Sequence, residues 1–146
     1  MATELTTSDT LGIRLALEEL NSAFAYHLDH GEIDALVDLF TVDALYTNGE
    51  RRSQGRNEIA TLFRNRVAKG PRTSRHLYSG LRIAVESRTS ASGVSVCMSF
   101  AADGVPPLPA KPFLVADFID SYRQDSDGRW RIATRHINPV FVGQDL

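Results

Sequence analysis

Apolar residues recur at helical spacing early in the chain and at every second position through its later half. Leu11, Leu15, Ala16, Leu20, Phe24 and Leu28 form one stripe of a helix that Asp9 or Thr10 can cap and that runs to about His30. Residues 1–8 before it are polar and are expected to fray. Gly31 is the expected C-cap, because glycine takes a positive φ without the clash that a Cβ brings. A short second helix over 32–40 presents Ile33, Leu36, Val37 and Phe40, and a strand over 42–47 ends at the Asn48-Gly49 turn signal. A third helix over 56–67 turns Ile59, Leu62 and Phe63 inward and stops at Gly70-Pro71.

After Pro71 the period changes. Four strands are predicted over 74–86, 93–102, 112–123 and 129–138, with Leu81/Ile83/Val85 and Val94/Val96/Met98/Phe100 as alternating apolar sets. Residues 87–93 and 126–128 read as hairpin loops, and the four prolines within 101–112 predict a longer, irregular connection. Helices followed by a meander of strands predict an α+β fold, with the helices packed against a bent, mostly antiparallel sheet. One detail tests this arrangement. His76 shares alternation parity with Arg82 and Glu86, whereas the apolar face is set by Leu81, Ile83 and Val85. Both can face the helices only if the strand changes phase, and Ser79-Gly80 is the expected place for a bulge.

Composition narrows the class. The 146 residues, 42% hydrophobic and 23% charged, fit one domain over 1–146 with its core at about 10–141. A formal net charge of -2 gives no general pull toward nucleic acid or an anionic membrane. The arginines of 51–75 are interspersed along a helix and its loops without an aromatic nucleic-acid module, so they read as solvated surface. The single cysteine, Cys97, rules out an intrachain disulfide and is expected to be buried in its apolar run. No stretch approaches the ~20 apolar residues of a membrane span. The acidic start does not resemble a signal peptide, so a cytoplasmic protein is expected. Gly49, Gly55 and Gly70 make no phosphate-binding fingerprint, and no cofactor is expected.

The candidate chemistry lies in Tyr26-His-Leu-Asp29-His-Gly31 and in Arg75-His76. A positioned Asp–His pair can remove a proton and return it. Asp29 stands near a helix C-terminus, where the helix field disfavours a carboxylate, so it calls for a partner such as His76. Tyr26, three positions earlier, can share its face; Tyr46 and Tyr78 are weaker pocket candidates, and Trp130 reads as packing. His27 and His30 lack a supported third ligand, so no metal is expected. Arg135 and His136 face opposite sides of a regular strand. Arg135 then reaches the pocket or forms a structural ion pair, and His136 is free to enter a subunit interface.

The combined order of these segments resembles the SnoaL-like branch of the NTF2-like superfamily of cone-shaped α+β barrels. The resemblance is carried by Tyr26 to Leu36, Leu39 to Ala44, Gly55 to Ile59, Ser74-Arg75-His76-Leu77, Trp130-Arg-Ile132 and Arg135 to Phe141, and it covers roughly 10–141. The closest analogy is to scytalone-dehydratase-like and hexachlorocyclohexane-dehydrochlorinase-like lyases. It implies His76 as the base, Asp29 as the group that orients it, and Arg135 as a pocket arginine. The chain departs from those lyases at Phe24, where the dehydrochlorinase has a lysine, and over 94–100, which lacks the dehydratase's second histidine.

Two expectations follow. The first is a cofactor-independent lyase or isomerase acting on a small hydrophobic, oxygen-bearing molecule through His76, Asp29, Tyr26 and Arg135. Phe24, Phe40, Leu62, Phe63 and Met98 are then candidates for lining or core. The second is a noncatalytic ligand-binding or assembly protein resembling the small subunit of ring-hydroxylating dioxygenases. A homodimer through the outer face of the sheet is expected, with the trimer of the lyases as the alternative.

Overall fold

Thr6 starts the first helix with a reciprocal cap: its hydroxyl accepts the Asp9 N–H at 3.1 Å, and Asp9 Oδ2 accepts the Thr6 N–H at 2.8 Å. The structure, a computed structural model, describes residues 4–143, so the first part of the expected frayed start, residues 1–3, lies outside the described residues. Helix α1 (Thr7–His30) ends at Gly31, whose φ of 69° is left-handed. It is followed by α2 (Ile33–Asp38), β1 (Phe40–Asn48), β2 (Arg51–Gln54) and α3 (Gly55–Ala68). Four longer strands complete the chain: β3 (Arg72–Ser87), β4 (Ser90–Asp103), β5 (Leu114–Gln124) and β6 (Trp130–Val142). Among the described residues no helix is long and apolar enough to cross a membrane.

The strands form one six-stranded sheet in the order β2-β1-β6-β5-β4-β3. All neighbours are antiparallel except β1 and β6, which run parallel. The expected cone-shaped barrel and its strong curvature are therefore corrected to an open, mixed sheet with helices from the N-terminal half. Closure requires the two edge strands to bond to each other. Here the edges are β3 and the four-residue β2, which pairs only with β1 and passes directly into α3.

The phase change falls at the expected position. Ser79 pairs with Val96 but Arg82 pairs with Val94, so β3 carries one extra residue, and Gly80 there has a φ of 70°. Before the bulge Ser74, His76 and Tyr78 turn inward; after it Leu81, Ile83 and Val85 do.

Three expectations are corrected. Leu11 and Leu15 are exposed, and α1 buries Ile13, Leu17 and Asn21 together with Leu20 and Phe24 of the expected stripe. Both sets have helical spacing, and packing against β3 selects the second. On β4 the lining or core candidate Met98 lies on the outer face with Val94, Val96 and Phe100, while Ala91, Gly93, Ser95, Cys97 and Ser99 are buried. Small residues are required there: a Cβ at Gly93 would stand 3.1 Å from both Leu81 and Tyr122 side chains. Phe40 opens β1 rather than closing α2, and β2 is an additional strand.

Candidate functional site

The end of α1 and the beginning of β3 meet through Asp29. Its Oδ2 accepts the His76 main-chain N–H at 2.9 Å, and its Oδ1 lies 2.6 Å from His76 Nδ1 and accepts the Ser74 hydroxyl at 2.9 Å. The two side chains are 6% and 12% exposed, so the pair is nearly closed to water. Burial alone would raise the Asp29 carboxyl, but the bonds from the His76 ring and amide outweigh it and hold the pKa below its ordinary 3.8. An ionised carboxylate only accepts hydrogen bonds, so Nδ1 carries a proton, and in the neutral ring the lone pair is then on Nε2.

His76 borders a cavity of about 70 Å³. Phe24, Leu28, Phe118 and Ile137 give it apolar walls, and Asn48, Arg66 and Ser99 add polar groups. Of Phe24, Phe40, Leu62, Phe63 and Met98, only Phe24 borders it; Phe40 and Phe63 are core, and Met98 is on the far face of the sheet. Phe113 is a wall shared with a larger groove of about 920 Å³, which runs between the ends of β3 and β4 and the proline-containing connection. Cys97 also borders the cavity, and burial pushes its thiol up to about 11.

Arg135 is fully buried and belongs to a separate network. Its Nε and Nη2 donate to the two carboxylate oxygens of Asp120 at 2.9 and 2.8 Å, and Nη2 also donates to Asn21 Oδ1. The Tyr122 hydroxyl donates to Asp120 at 2.7 Å and accepts from Asn21 at 3.0 Å. The rings of Phe24 and Phe118 flank the guanidinium at 4.4 and 4.6 Å. Burial works to lower the Arg135 pKa, but the Asp120 carboxylate outweighs it and the pKa lies above its ordinary value. The structural ion pair foreseen as one alternative for this arginine is made with Asp120.

The structure does not bring Tyr26 to the cavity. Its side chain is on the outer side of α1, 54% exposed and stacked on His30 with ring centres 4.1 Å apart. His27 pairs with Glu32, His30 Nδ1 meets the Tyr26 carbonyl at 2.7 Å, and His136 is hydrogen-bonded to the Thr47 hydroxyl. Tyr46 is buried and borders the cavity, whereas Tyr78 and Trp130 pack on the core. Among the polar residues of the site that were not singled out from the sequence are Ser74 and Arg66. Ser74 shares the parity of His76 and is recoverable from that alternation. Arg66 lies in a run of arginines that reads as solvated, but its helical spacing from Ile59, Leu62 and Phe63 places it on their inward face, and that is the signal that could have found it.

The chain belongs to the SnoaL-like domain family of the NTF2-like superfamily, the match spanning residues 9–136. In structure it is similar to a candidate scytalone dehydratase from Novosphingobium aromaticivorans DSM 12444, at 22% identity and a TM-score of 0.82 over 93% of this chain and 89% of that one. It is similar to a hexachlorocyclohexane dehydrochlorinase, LinA type 2, at 19% identity and a TM-score of 0.75 over 93% and 90%. A protein of unknown function with a cystatin-like fold from Nostoc punctiforme PCC 73102 matches at 22% identity and a TM-score of 0.79 over 99% and 100%. No curated protein matches the sequence significantly. At identities of 19–22% these likenesses show the fold.

Proposed function

We propose that this protein is a single-domain, cofactor-independent lyase or isomerase that removes a carbon-bound proton from a small hydrophobic molecule bearing an oxygen function. The observation that carries the reading is the 2.6 Å contact of Asp29 with His76 Nδ1 at the cavity wall. His76 Nε2 takes the proton from a carbon beside a carbonyl, and the C–H electron pair passes to the carbonyl oxygen as an enolate. Asp29 stabilises the imidazolium that forms. The enolate then collapses, either expelling a leaving group from the β-carbon or, where it is conjugated to a C=C bond, taking the proton back at the far end of that bond. The names of the dehydratase and dehydrochlorinase among the similar structures support an elimination.

Small-molecule sites usually occupy ~300–1,000 Å³. The 70 Å³ beside His76 holds only the reacting end of a substrate, and the remainder lies in the 920 Å³ groove beyond Phe113. The tight inner cavity also favours the second reading, a noncatalytic binding or assembly protein. Deuterium exchange separates the two. Enolisable ketones and β-hydroxy carbonyl compounds incubated with the protein in D₂O should take up deuterium with the parent and lose that uptake with folded His76→Ala. Equal uptake with both proteins overturns the catalytic reading.

The same proposal includes self-association through the outer face of the sheet. Leu77, Val94, Val96 and Ile119 expose apolar surface across β3, β4 and β5. A C₂ dimer is the proposed form, and sedimentation equilibrium distinguishes it from a trimer; a monomer mass at working concentration defeats both.

A further inference from the structure

We infer that Arg66 binds a carboxylate of the substrate where the cavity meets the groove, so that the ligands of this site are small carboxylic acids. The inference deepens the proposed function and rests on it for the role of His76, but the binding site stands on its own geometry.

Arg66 is in the last turn of α3, is partly buried, and borders the same cavity as His76. Three arginines near it in sequence are compensated. Arg56 pairs with Asp38 at 3.5 Å, Arg64 with Asp34 at 3.0 Å, and Arg72 with Asp103 at 3.6 Å. The Arg66 side chain forms no ion pair and donates no hydrogen bond to any described residue; the groups that act on it are Arg72, Tyr46 and Asp29. Tyr46 is a neutral phenol held up at about 12 by burial, and Asp29 is already engaged by His76 and Ser74. Burial lowers the Arg66 pKa and the positive Arg72 lowers it further, so the charged form is disfavoured from two sides. A guanidinium cannot readily give up its proton, and a partly desolvated one without a counter-ion is a cost that a bound anion relieves. A surface role at the helix C-terminus would instead leave the side chain on the last carbonyls, and Arg66 makes no such bond.

The second cation lies on the groove side. Arg72 sits over the Phe113 ring at 5.2 Å, and Phe113 is the wall common to both spaces. An anion near that wall is attracted chiefly by Arg66, since Arg72 is already paired with Asp103, and a carboxylate fits Arg66 through paired N–H bonds. The apolar residues Phe24, Leu28, Phe118 and Ile137 then receive a hydrocarbon portion. A carboxylate acidifies its α-carbon only weakly. It therefore serves as a handle, and the proton taken by His76 is activated by a separate carbonyl.

The test uses benzoate as the probe and benzamide as its neutral counterpart, followed through backbone amide NMR shifts of the intact protein. Benzoate should shift cavity residues in the parent and bind about tenfold or more weakly to Arg66→Gln, as expected for losing a charge-assisted bond. Arg66→Lys should retain part of the affinity, and benzamide should bind the parent more weakly than benzoate with little response to Arg66→Gln. Equal benzoate affinity in the parent and a folded Arg66→Gln overturns the inference. So does the absence of benzoate binding to the parent, or benzamide binding as tightly as benzoate. His76→Ala keeps the Arg66-dependent binding, so failed deuterium exchange with intact benzoate binding removes the catalytic reading and leaves this one standing.

Discussion

Asp29 holds His76 by two atoms at once, taking the main-chain N–H on Oδ2 and the ring Nδ1 proton on Oδ1. Position and tautomer of the imidazole are therefore set by one carboxylate. In Asp29→Asn the amide can donate to Nδ1, which moves the ring proton to Nε2 and removes the basic lone pair. Deuterium uptake should fall toward the level of His76→Ala, a loss of ~10²–10⁴-fold for a positioned base. Parental uptake by folded Asp29→Asn would show that the carboxylate does not orient the base.

The same carboxylate makes stability depend on acid. Its folded pKa lies below the ordinary 3.8, so on acidification the unfolded chain binds the proton first. The stabilisation is complete above the unfolded value and is lost as the pH falls through the folded one. Asp9, held by Thr6, and Asp127, held by Arg131, are lowered to about 2 and act with the same sign over this window. The readout is therefore a difference. Urea midpoints measured downward from pH 5 should fall less steeply for Asp29→Asn than for the parent, and superimposable slopes would contradict the assignment.

Arg135 and Asp120 have fully buried side chains. Replacing only the arginine, as in Arg135→Met, leaves the Asp120 charge buried without its partner and should cost ~3–5 kcal/mol. Arg135→Met combined with Asp120→Asn should recover much of that loss. Urea unfolding at pH 7 checks both variants. An unchanged midpoint for Arg135→Met, together with lost deuterium uptake, would instead make Arg135 a substrate group.

Cys97 reports on the cavity. Because burial holds its thiol at about 11, little thiolate exists at pH 8, and an aromatic disulfide reagent should label it slowly in the native state. Labelling should become rapid in denaturing urea. Rapid native labelling would mean that the cavity opens readily to bulky molecules.

The meeting of Asp29 and His76 was legible because separate signals agreed: Gly31 ends the helix just after Asp29, and the parity conflict at His76 demands the bulge at Ser79-Gly80. Other features were hidden for physical reasons. Alternation groups Val94, Val96 and Met98 on one face, but the crowding of Leu81 and Tyr122 against Gly93 decides which face goes outside. Leu11 and Leu15 have the same helical spacing as Ile13, Leu17 and Leu20, and only packing chooses between them. The open sheet depends on what β2 and β3 do at their edges, which no local pattern encodes. Arg66 continues the helical face of Ile59, Leu62 and Phe63 and Arg64 does not, but that spacing alone does not show that the face ends at a cavity.

The extra residue at Ser79-Gly80 gives β3 two independent reading frames. Upstream of it the even-numbered residues are interior, and downstream the odd-numbered ones are. Substitutions that reshape the end near the cavity need not conform to the frame that builds the core beneath α1, nor the reverse. A one-residue deletion at the bulge would take out the spare letter and leave a regular strand in which both sets still face inward, because Ser79 opposes Val96 and Arg82 opposes Val94; what it would remove is the bend. The glycine is the punctuation that lets one strand carry two instructions, one for what the fold encloses and one for what holds it together.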